Sequence, residues 1–489
     1  MKLNFDRVIL VLAIAWYSLT AYFSLGYYQA DEHYQLIEFA GVIDGTAKGT
    51  DLAWEFQAQI RPSLQPVLCH AVFSACRVLS IDDAYAQAFI LRLLTGLFAV
   101  FSIRFFARSC KPLILPENWK LFLVLSYFTW FLPFVNVRFS SETWAGLFLL
   151  LSLALSMREN IGSRQFFMIG LLTGLGFLFR FQAIAASAGL ILWLMIIKKE
   201  SFGRIALLGT GAALVIVAGT LLDLWFYKNF VFTPWRYFKV NLIDGVASGF
   251  GTSPWYYYFY YVFRFSFFPF GILILGSLLF LLIKKPANIF IWTVVPFLVL
   301  HSVIPHKELR FLFPVINLIP AIFFLAFQES GSRKFGIREN RFLYVLAILL
   351  LLVNFTGLAV SSTKPAGPGR MRITKRIHET GRGREINLIS YQGSNPYDPW
   401  NKLNATFYME PNITFRNLPD PTELDPGLID PGKWNLLVIK KKDADHPAVK
   451  EFISAHGLRM MDRGVPECHV WFLKLYGYRT AEILELYCD

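Results

Sequence analysis

Apolar runs of about 17 to 25 residues recur along this 489-residue chain, each long enough to cross a hydrocarbon core of about 30 Å. Inside such a core every backbone N–H and C=O must find its partner within the protein, and a helix satisfies them all within one segment. The runs lie at 7–26, 86–106, 119–136, 143–157, 165–180, 182–198, 205–222, 259–283, 287–305, 310–327 and 342–361. They predict an α-helical multi-pass membrane protein of about eleven spans. With 55% hydrophobic and 17% charged residues, the chain is too apolar for a soluble protein of this length. The stretch 165–198 is interrupted by Arg180 and Gln182 and reads as two short helices meeting near a membrane face. The first run is long for a signal-peptide core and shows no small-residue cleavage site, so it reads as a retained anchor.

A net charge of +13 would suit nucleic acid, but the cations sit in short connections between runs. They are Lys2 and Arg7; Arg104, Arg108, Lys111 and Lys120; Arg158 and Arg164; Lys198, Lys199 and Arg204; Lys284 and Lys285; and Arg333, Lys334, Arg338 and Arg341. With about eleven spans, all of these groups fall on one side, which the positive-inside rule makes cytoplasmic. Nucleic acid is therefore not an expected partner, and membrane lipid is. The opposite side receives the loops 27–85 and 223–258, the turn 137–142, the break at Arg180, the turn around His306, and everything after 361. Long connections rich in aromatics, Pro and acids are the kind that carry function.

Composition changes near residue 362, which divides the chain into a membrane domain, 1–361, and a C-terminal extramembrane α/β domain, 362–489. In the second, 435–440 reads as a strand, 446–456 as a helix ended by Gly457, and 469–476 as another strand. The five cysteines form no CxxC, so no structural zinc is expected. Cys468 and Cys488 either pair in an oxidising compartment or stay free. Asn404 and Asn412 head sequons that have meaning only in a eukaryotic secretory compartment.

Charges at a bilayer edge are expensive unless they serve a site, and several gather on the non-cytoplasmic side. His306, Lys307, Glu308 and Arg310 crowd the turn between two runs. On a helical turn started by Pro305, His306 and Arg310 would share a face. The cations suit a phosphate, and Glu308 would hold them in place. Arg138 and Glu142 occupy a very short turn and pair with each other or serve a ligand; Arg180 either snorkels to the surface or meets an anion. Asp31 and Glu32, just after the first run, offer a general base for a hydroxyl acceptor or a metal ligand. The residues after them, 34–43, read as an amphipathic helix lying on the membrane. Trp54 and Glu55 precede Ile60-Arg61-Pro62-Ser63. Trp235, Trp255 and Tyr256 belong to an aromatic loop suited to an interface or to stacking on sugar rings.

In order along the chain these pieces resemble a known family. The string His306-Lys307-Glu308-Leu309-Arg310-Phe311 matches the H-K-E-x-R-F motif of the polyprenyl-phosphate-mannose-dependent mannosyltransferases, glycosyltransferase family 22, of GT-C fold. Asp31-Glu32-His33-Tyr34-Gln35 is similar to that family's acidic pair followed by an aromatic residue and Gln. Trp54-Glu55-Phe56 and Ile60-Arg61-Ser63, with Pro62 inserted, are similar to its W-E-W/F and I-R-S. Asn241 and Phe250 to Tyr258 resemble a segment of the branch that adds the third mannose of the GPI anchor. The resemblance covers about residues 1–330. In the tail, Asn387 to Pro396 stands where that branch carries a Cys-His motif. The chain is shorter than eukaryotic members, which fits a bacterial relative.

The resemblance implies an inverting transfer of mannose from a polyprenyl-phosphate donor to a glycan or glycolipid acceptor. No cofactor is expected to be required, and a divalent metal is not excluded. It makes Asp31 the base, with Glu32 second. His306, Lys307 and Arg310 become the donor-phosphate contacts, with Arg138 and Arg180 as further ones. Glu308, Glu55, Arg61 and Glu142 are supporting, and Trp54, Trp235, Trp255 and Tyr256 meet the sugars. The alternatives are a transporter or flippase for lipid-linked sugars, which would favour polar residues deep in several spans and internal repeats, or a GT-C enzyme using another polyprenyl-phosphate sugar. The expected setting is the endoplasmic reticulum membrane in a eukaryote or the inner membrane in a bacterium, with the site and tail on the non-cytoplasmic side.

Overall fold

The computed structural model describes residues 4–266, 268–331, 341–391, 393–398, 403–475 and 480–489. Lys2, Arg333, Lys334 and Arg338, counted above among the cations, lie outside the described residues, as does Tyr476. Each of the eleven apolar runs is helical, in one piece or two. Five helices are long and apolar enough to cross a membrane: Phe5–Phe23, Ala84–Leu113, Phe202–Tyr227, Leu309–Glu329 and Tyr344–Thr363. Pro269–Lys284 and Ile289–Val303 form a pair bent by 118°. The runs at 143–157, 165–180 and 182–198 yield shorter apolar helices, Ser141–Ser156, Ser163–Phe179 and Phe181–Ile196. Among the described residues, length and composition thus single out five such helices, or six spans with the bent pair counted as one. The loop 27–85 also contains a helix, Leu64–Val78, that its sequence did not suggest.

Two compact units divide the chain. The first is Met1–Thr20, Gln59–Gln65 and Arg92–Ser362; the second is Ala21–Ala58, Pro66–Leu91 and Thr363–Asp489. In the first, a 3-10 helix, Leu309–Leu318, packs against helix Ser141–Ser156. The approach requires Gly146: a Cβ there would lie 2.7 Å from the Pro314 backbone. Asn136 and Asn317 exchange side-chain hydrogen bonds of 2.9 and 3.0 Å in the same region. Two buried amides that satisfy each other offset the cost of their own desolvation and keep register in an apolar setting. Helix Ser163–Phe179 meets helix Phe202–Tyr227 through glycines, a Cβ on Gly170 falling 2.0 Å from the Leu208 carbonyl oxygen.

The second unit contains a five-stranded sheet of β1 (Ile386–Tyr391), β2 (Ile413–Leu418), β3 (Trp434–Lys440), β4 (Arg459–Arg463) and β5 (Leu484–Cys488) in the order β2-β1-β3-β5-β4. The first two pairings are parallel and the last two antiparallel. All six residues of β1 are buried, as expected of an inner strand covered on both faces. Ile389, Leu437 and Ile439 pack on Val449 and Phe452 of helix Pro447–Ala455. The expected strand at 435–440 and the expected helix before Gly457 are both present. The expected strand at 469–476 is instead a helix, Glu467–Leu475. Pro466 accepts from the His469 and Val470 amides and starts its first turn, and a short apolar run cannot be sorted into strand or helix by periodicity alone. Cys468 and Cys488 are free thiols.

Candidate active site

The turn after helix Ile289–Val303 is extended at Glu308 (φ −132°, ψ 147°), and the 3-10 helix begins at Leu309. The helical turn expected from Pro305 does not form. In extended backbone, alternate side chains point the same way. Accordingly His306 and Glu308 fall on one side, and Arg310, on the first turn of the 3-10 helix, reaches back to Glu308. Glu308 accepts from Arg310 Nε at 2.8 Å and Nη2 at 3.0 Å, and its Oε1 lies 3.1 Å from His306 Nε2. Lys307 faces elsewhere: its Nζ donates to the carbonyls of Ser253 (3.0 Å) and Ile304 (2.5 Å). The Ser253 amide in turn donates to the Pro305 carbonyl, and His306 Nδ1 meets Gly251 O at 3.0 Å. The Gly251–Ser253 segment of the aromatic loop is thereby stitched to the turn.

Burial opposes ionisation of Glu308, but the hydrogen bond from His306 and the charge and hydrogen bonds of Arg310 outweigh it, so its carboxyl is pulled down to about 2. The Glu308 hydrogen bond raises His306 against its own desolvation. Desolvation lowers Lys307.

Glu142 opens helix Ser141–Ser156, whose N-cap Ser140 accepts from the Thr143 amide. A carboxylate in a first helical turn is favoured by the helix dipole. Glu142 is 2% exposed and lies 3.4 Å from Arg180 Nη1 and 3.8 Å from Arg310 Nη1. Arg180 is 5% exposed, extended between two helices, with its guanidinium 4.6 Å from the Phe311 ring centroid. It therefore does not snorkel; the buried acid holds it. Arg138 is buried, its guanidinium 5.4 Å from the Phe134 ring. Four charges from three sequence-distant segments, Glu142, Arg180, and Glu308 with Arg310, thus form one network. An apolar cavity of about 170 Å³ adjoins it, lined among others by Tyr258, Leu309, Leu312 and Phe313.

The Arg61 guanidinium lies 5.6 Å from the Tyr237 ring, and Gln182 donates to the Tyr237 hydroxyl at 2.5 Å. The segment Arg61-Pro62-Ser63 is held by a residue that sequence reasoning missed. Asp223, buried near the end of helix Phe202–Tyr227, accepts from Ser63 N, Ser63 Oγ and Thr233 Oγ1, each at 2.7 Å. A lone Asp near the end of an apolar run was the available signal, since a buried intramembrane acid needs a reason. Trp235, Trp255 and Tyr256 are exposed.

The remaining candidates belong to the second unit. Asp31 begins the short helix Asp31–Tyr34 and is half-buried; Glu32 is buried and accepts from the Tyr28 amide at 3.3 Å. The neighbouring acids thus differ in access, and Asp31 is the more accessible. His33 stacks between Tyr27 and Tyr408, with Nε2 2.7 Å from Glu38. The single amphipathic helix expected over 34–43 is two pieces, the second being Ile37–Asp44. Its Glu38 is buried and accepts from Thr406 Oγ1 and the Phe407 amide, so this face packs on protein. Glu55 accepts from Gln35 Nε2 at 2.8 Å, joining two of the motifs; Trp54 is exposed.

Residues 8–379 match the Alg9-like mannosyltransferase family. GPI mannosyltransferase 3 of Yarrowia lipolytica is 28% identical over 326 residues, covering 64% of this chain and 60% of that protein. Mannosyltransferase APTG1 of Arabidopsis thaliana is 25% identical over 347 residues, 68% of this chain and 61% of that one. The chain therefore spans about three-fifths of the length of these relatives. ArnT from Cupriavidus metallidurans, in a crystal structure bound to undecaprenyl phosphate, superposes with a TM-score of 0.52 at 12% identity, covering 98% of this chain and 97% of ArnT. That likeness is one of fold: a GT-C membrane protein with a small C-terminal sheet domain. The match over residues 8–379 places this multi-pass membrane chain in the Alg9-like mannosyltransferase family.

Proposed function

We propose that the protein is an inverting mannosyltransferase that moves mannose from a polyprenyl-phosphate donor to a hydroxyl of a glycan or glycolipid. The observation that carries this reading is the buried network of Glu142, Arg180, Glu308 and Arg310 beside an apolar cavity. A lipid phosphate needs both: cations for the headgroup and an apolar wall for the chain. In transfer, the anomeric carbon–oxygen bond breaks with its electron pair going to the phosphate. Arg310 and Arg180, with Arg138 and His306 as further contacts, stabilise that charge. Because their counter-ions already orient them, little reorganisation is needed as it develops. The acceptor oxygen forms the new bond on the opposite face of the sugar, and Asp31 takes its proton. Lys307 braces the turn through two carbonyls. Trp54, Trp235, Trp255 and Tyr256 offer faces for sugars, and Arg61 and Glu55 support the loops that carry them.

No step is assigned to a metal, so transfer should persist in excess chelator. The cation-rich loops are assigned to the cytoplasmic side and the site to the opposite one, in the endoplasmic reticulum of a eukaryote or the inner membrane of a bacterium. The test is transfer by purified protein from polyprenyl-phosphate mannose to candidate glycan and glycolipid acceptors, with linkage analysis of the product. Asp31→Asn and Arg310→Ala should insert normally and lose transfer. Full activity in Asp31→Asn would remove the base assignment. Incorporation of label from a nucleotide sugar alone would sink the donor class.

A further inference from the structure

A second cavity in the larger unit, polar and of about 210 Å³, lies where helices Phe5–Phe23, Ala84–Cys110 and Trp119–Phe128 come together. Arg7, Arg104 and Arg108 all line it. Arg104 and Arg108 are one turn apart on helix Ala84–Cys110, and Arg7 is brought to them by helix Phe5–Phe23. The one carboxylate in the lining, Asp6, accepts from Trp119 Nε1 at 3.1 Å. Among the described residues, no ion pair or side-chain hydrogen bond engages the three guanidinium groups. Two more cations stand close by. The ammonium of Lys111 is 5.6 Å from the Trp119 ring and that of Lys120 is 5.5 Å from the Phe5 ring.

Like charges converging on one concavity repel each other, and an anion removes the repulsion. A guanidinium presents a planar fork of donors that fits phosphate oxygens two at a time. The walls are mixed: Leu10 and Leu123 are apolar, and Trp119 is of the type that sits at a membrane–water boundary. Free phosphate has no use for the apolar part, whereas a phospholipid does. Basic pockets between membrane helices suit anionic headgroups.

We propose that this cavity binds a phosphate group, carried by an anionic phospholipid of the leaflet that this end of the unit meets. The site is independent of the transfer reaction proposed above.

The experiment is native mass spectrometry of the full chain released from mixed micelles of phosphatidylglycerol and phosphatidylcholine. A thermal-shift series with inorganic phosphate runs beside it. Wild-type protein should retain phosphatidylglycerol at least tenfold more than Arg104→Gln/Arg108→Gln, with phosphatidylcholine retention equal in both. Arg104→Lys/Arg108→Lys should recover part of the difference, because charge survives and the fork does not. A stabilisation by millimolar phosphate that the Gln variant loses, without any difference in phosphatidylglycerol, would keep the anion site and assign it to free phosphate. Equal phosphatidylglycerol retention together with no phosphate shift would overturn the proposal. Arg7→Gln, at an exposed position on the first helical turn, applies the same criteria if the double variant does not fold.

Discussion

Arg180 and Arg310 each lie against a buried carboxylate, whereas Arg7, Arg104 and Arg108 share a cavity whose single carboxylate is turned to an indole. Solvent accounts for the difference. A buried charge without a partner costs several kcal/mol, so the arginines around Glu142 arrive with their counter-ions built in. Arg7 and Arg108 are exposed and Arg104 half-buried, so they are not held inside protein as Arg180 and Arg310 are. The first cluster is therefore rigid before any ligand arrives, which is what stabilising a developing charge requires. The second keeps its positive field for an anion from outside. Whether a basic cluster is catalytic furniture or a docking site for an anion is read from its carboxylates, not from its arginines.

The comparison can be broken at several points. Glu142→Ala leaves Arg180 and Arg310 buried with less counter-charge and should cost about 3–5 kcal/mol of stability. Thermal melts in detergent check it, and a loss under about 1 kcal/mol would show that the network is not held by that acid. Asp223→Ala strands three donors on Ser63 and Thr233, at roughly 2–4 kcal/mol. Limited proteolysis should then cut near Arg61 first. Gly146→Ala pushes a methyl into the Pro314 backbone and should cost about 1–3 kcal/mol. Because the moved segment carries Arg310, transfer should fall more than the melt suggests.

The pH profile sharpens the same point. Glu308 is held at about 2, so its contribution is present above the ordinary carboxylate value and disappears only as pH falls through that lower one. Between about pH 5 and 8 it is constant. His306 is raised, so its contribution is full below the ordinary imidazole value and is lost as pH rises through the higher folded one. Melts should therefore decline across that upper range, and His306→Gln should flatten the decline. An unchanged slope would detach His306 from Glu308. At the small end, Arg104→Gln/Arg108→Gln should shift stability in lipid-free detergent by no more than about 0.5 kcal/mol, since among the described residues neither side chain has an ion-pair or hydrogen-bond partner to lose.

Much of this was legible in sequence because lipid imposes one rule on every segment. Each apolar run is helical, and the break at Arg180 falls between two helices as its polar pair suggested. The crowding of His306, Lys307, Glu308 and Arg310 marked a site. Their division of labour was not legible. A helical reading puts His306 with Arg310, whereas backbone extended as far as Glu308 and then turning into a 3-10 helix gathers both on Glu308 and sends Lys307 to carbonyls. The run after Pro466 failed for another reason. Val470 and Phe472 are buried and Trp471 is exposed, an alternation that suits a strand as well as one short helix. The sheet position went to β5, whose Leu484 and Leu486 pair with β3.

By itself the sequence determined the medium, the helical class and the residues worth suspecting. Those depend on local composition, and hydrocarbon leaves few alternatives. Only the tertiary structure decided that Glu142 serves Arg180 and Arg310 rather than its near neighbour Arg138 alone, and that Asp223 anchors the segment of Arg61. Both are long-range pairings, made possible where glycine lets two backbones touch or where a buried acid must find every donor within reach. Spacing along the chain carries no record of such distances.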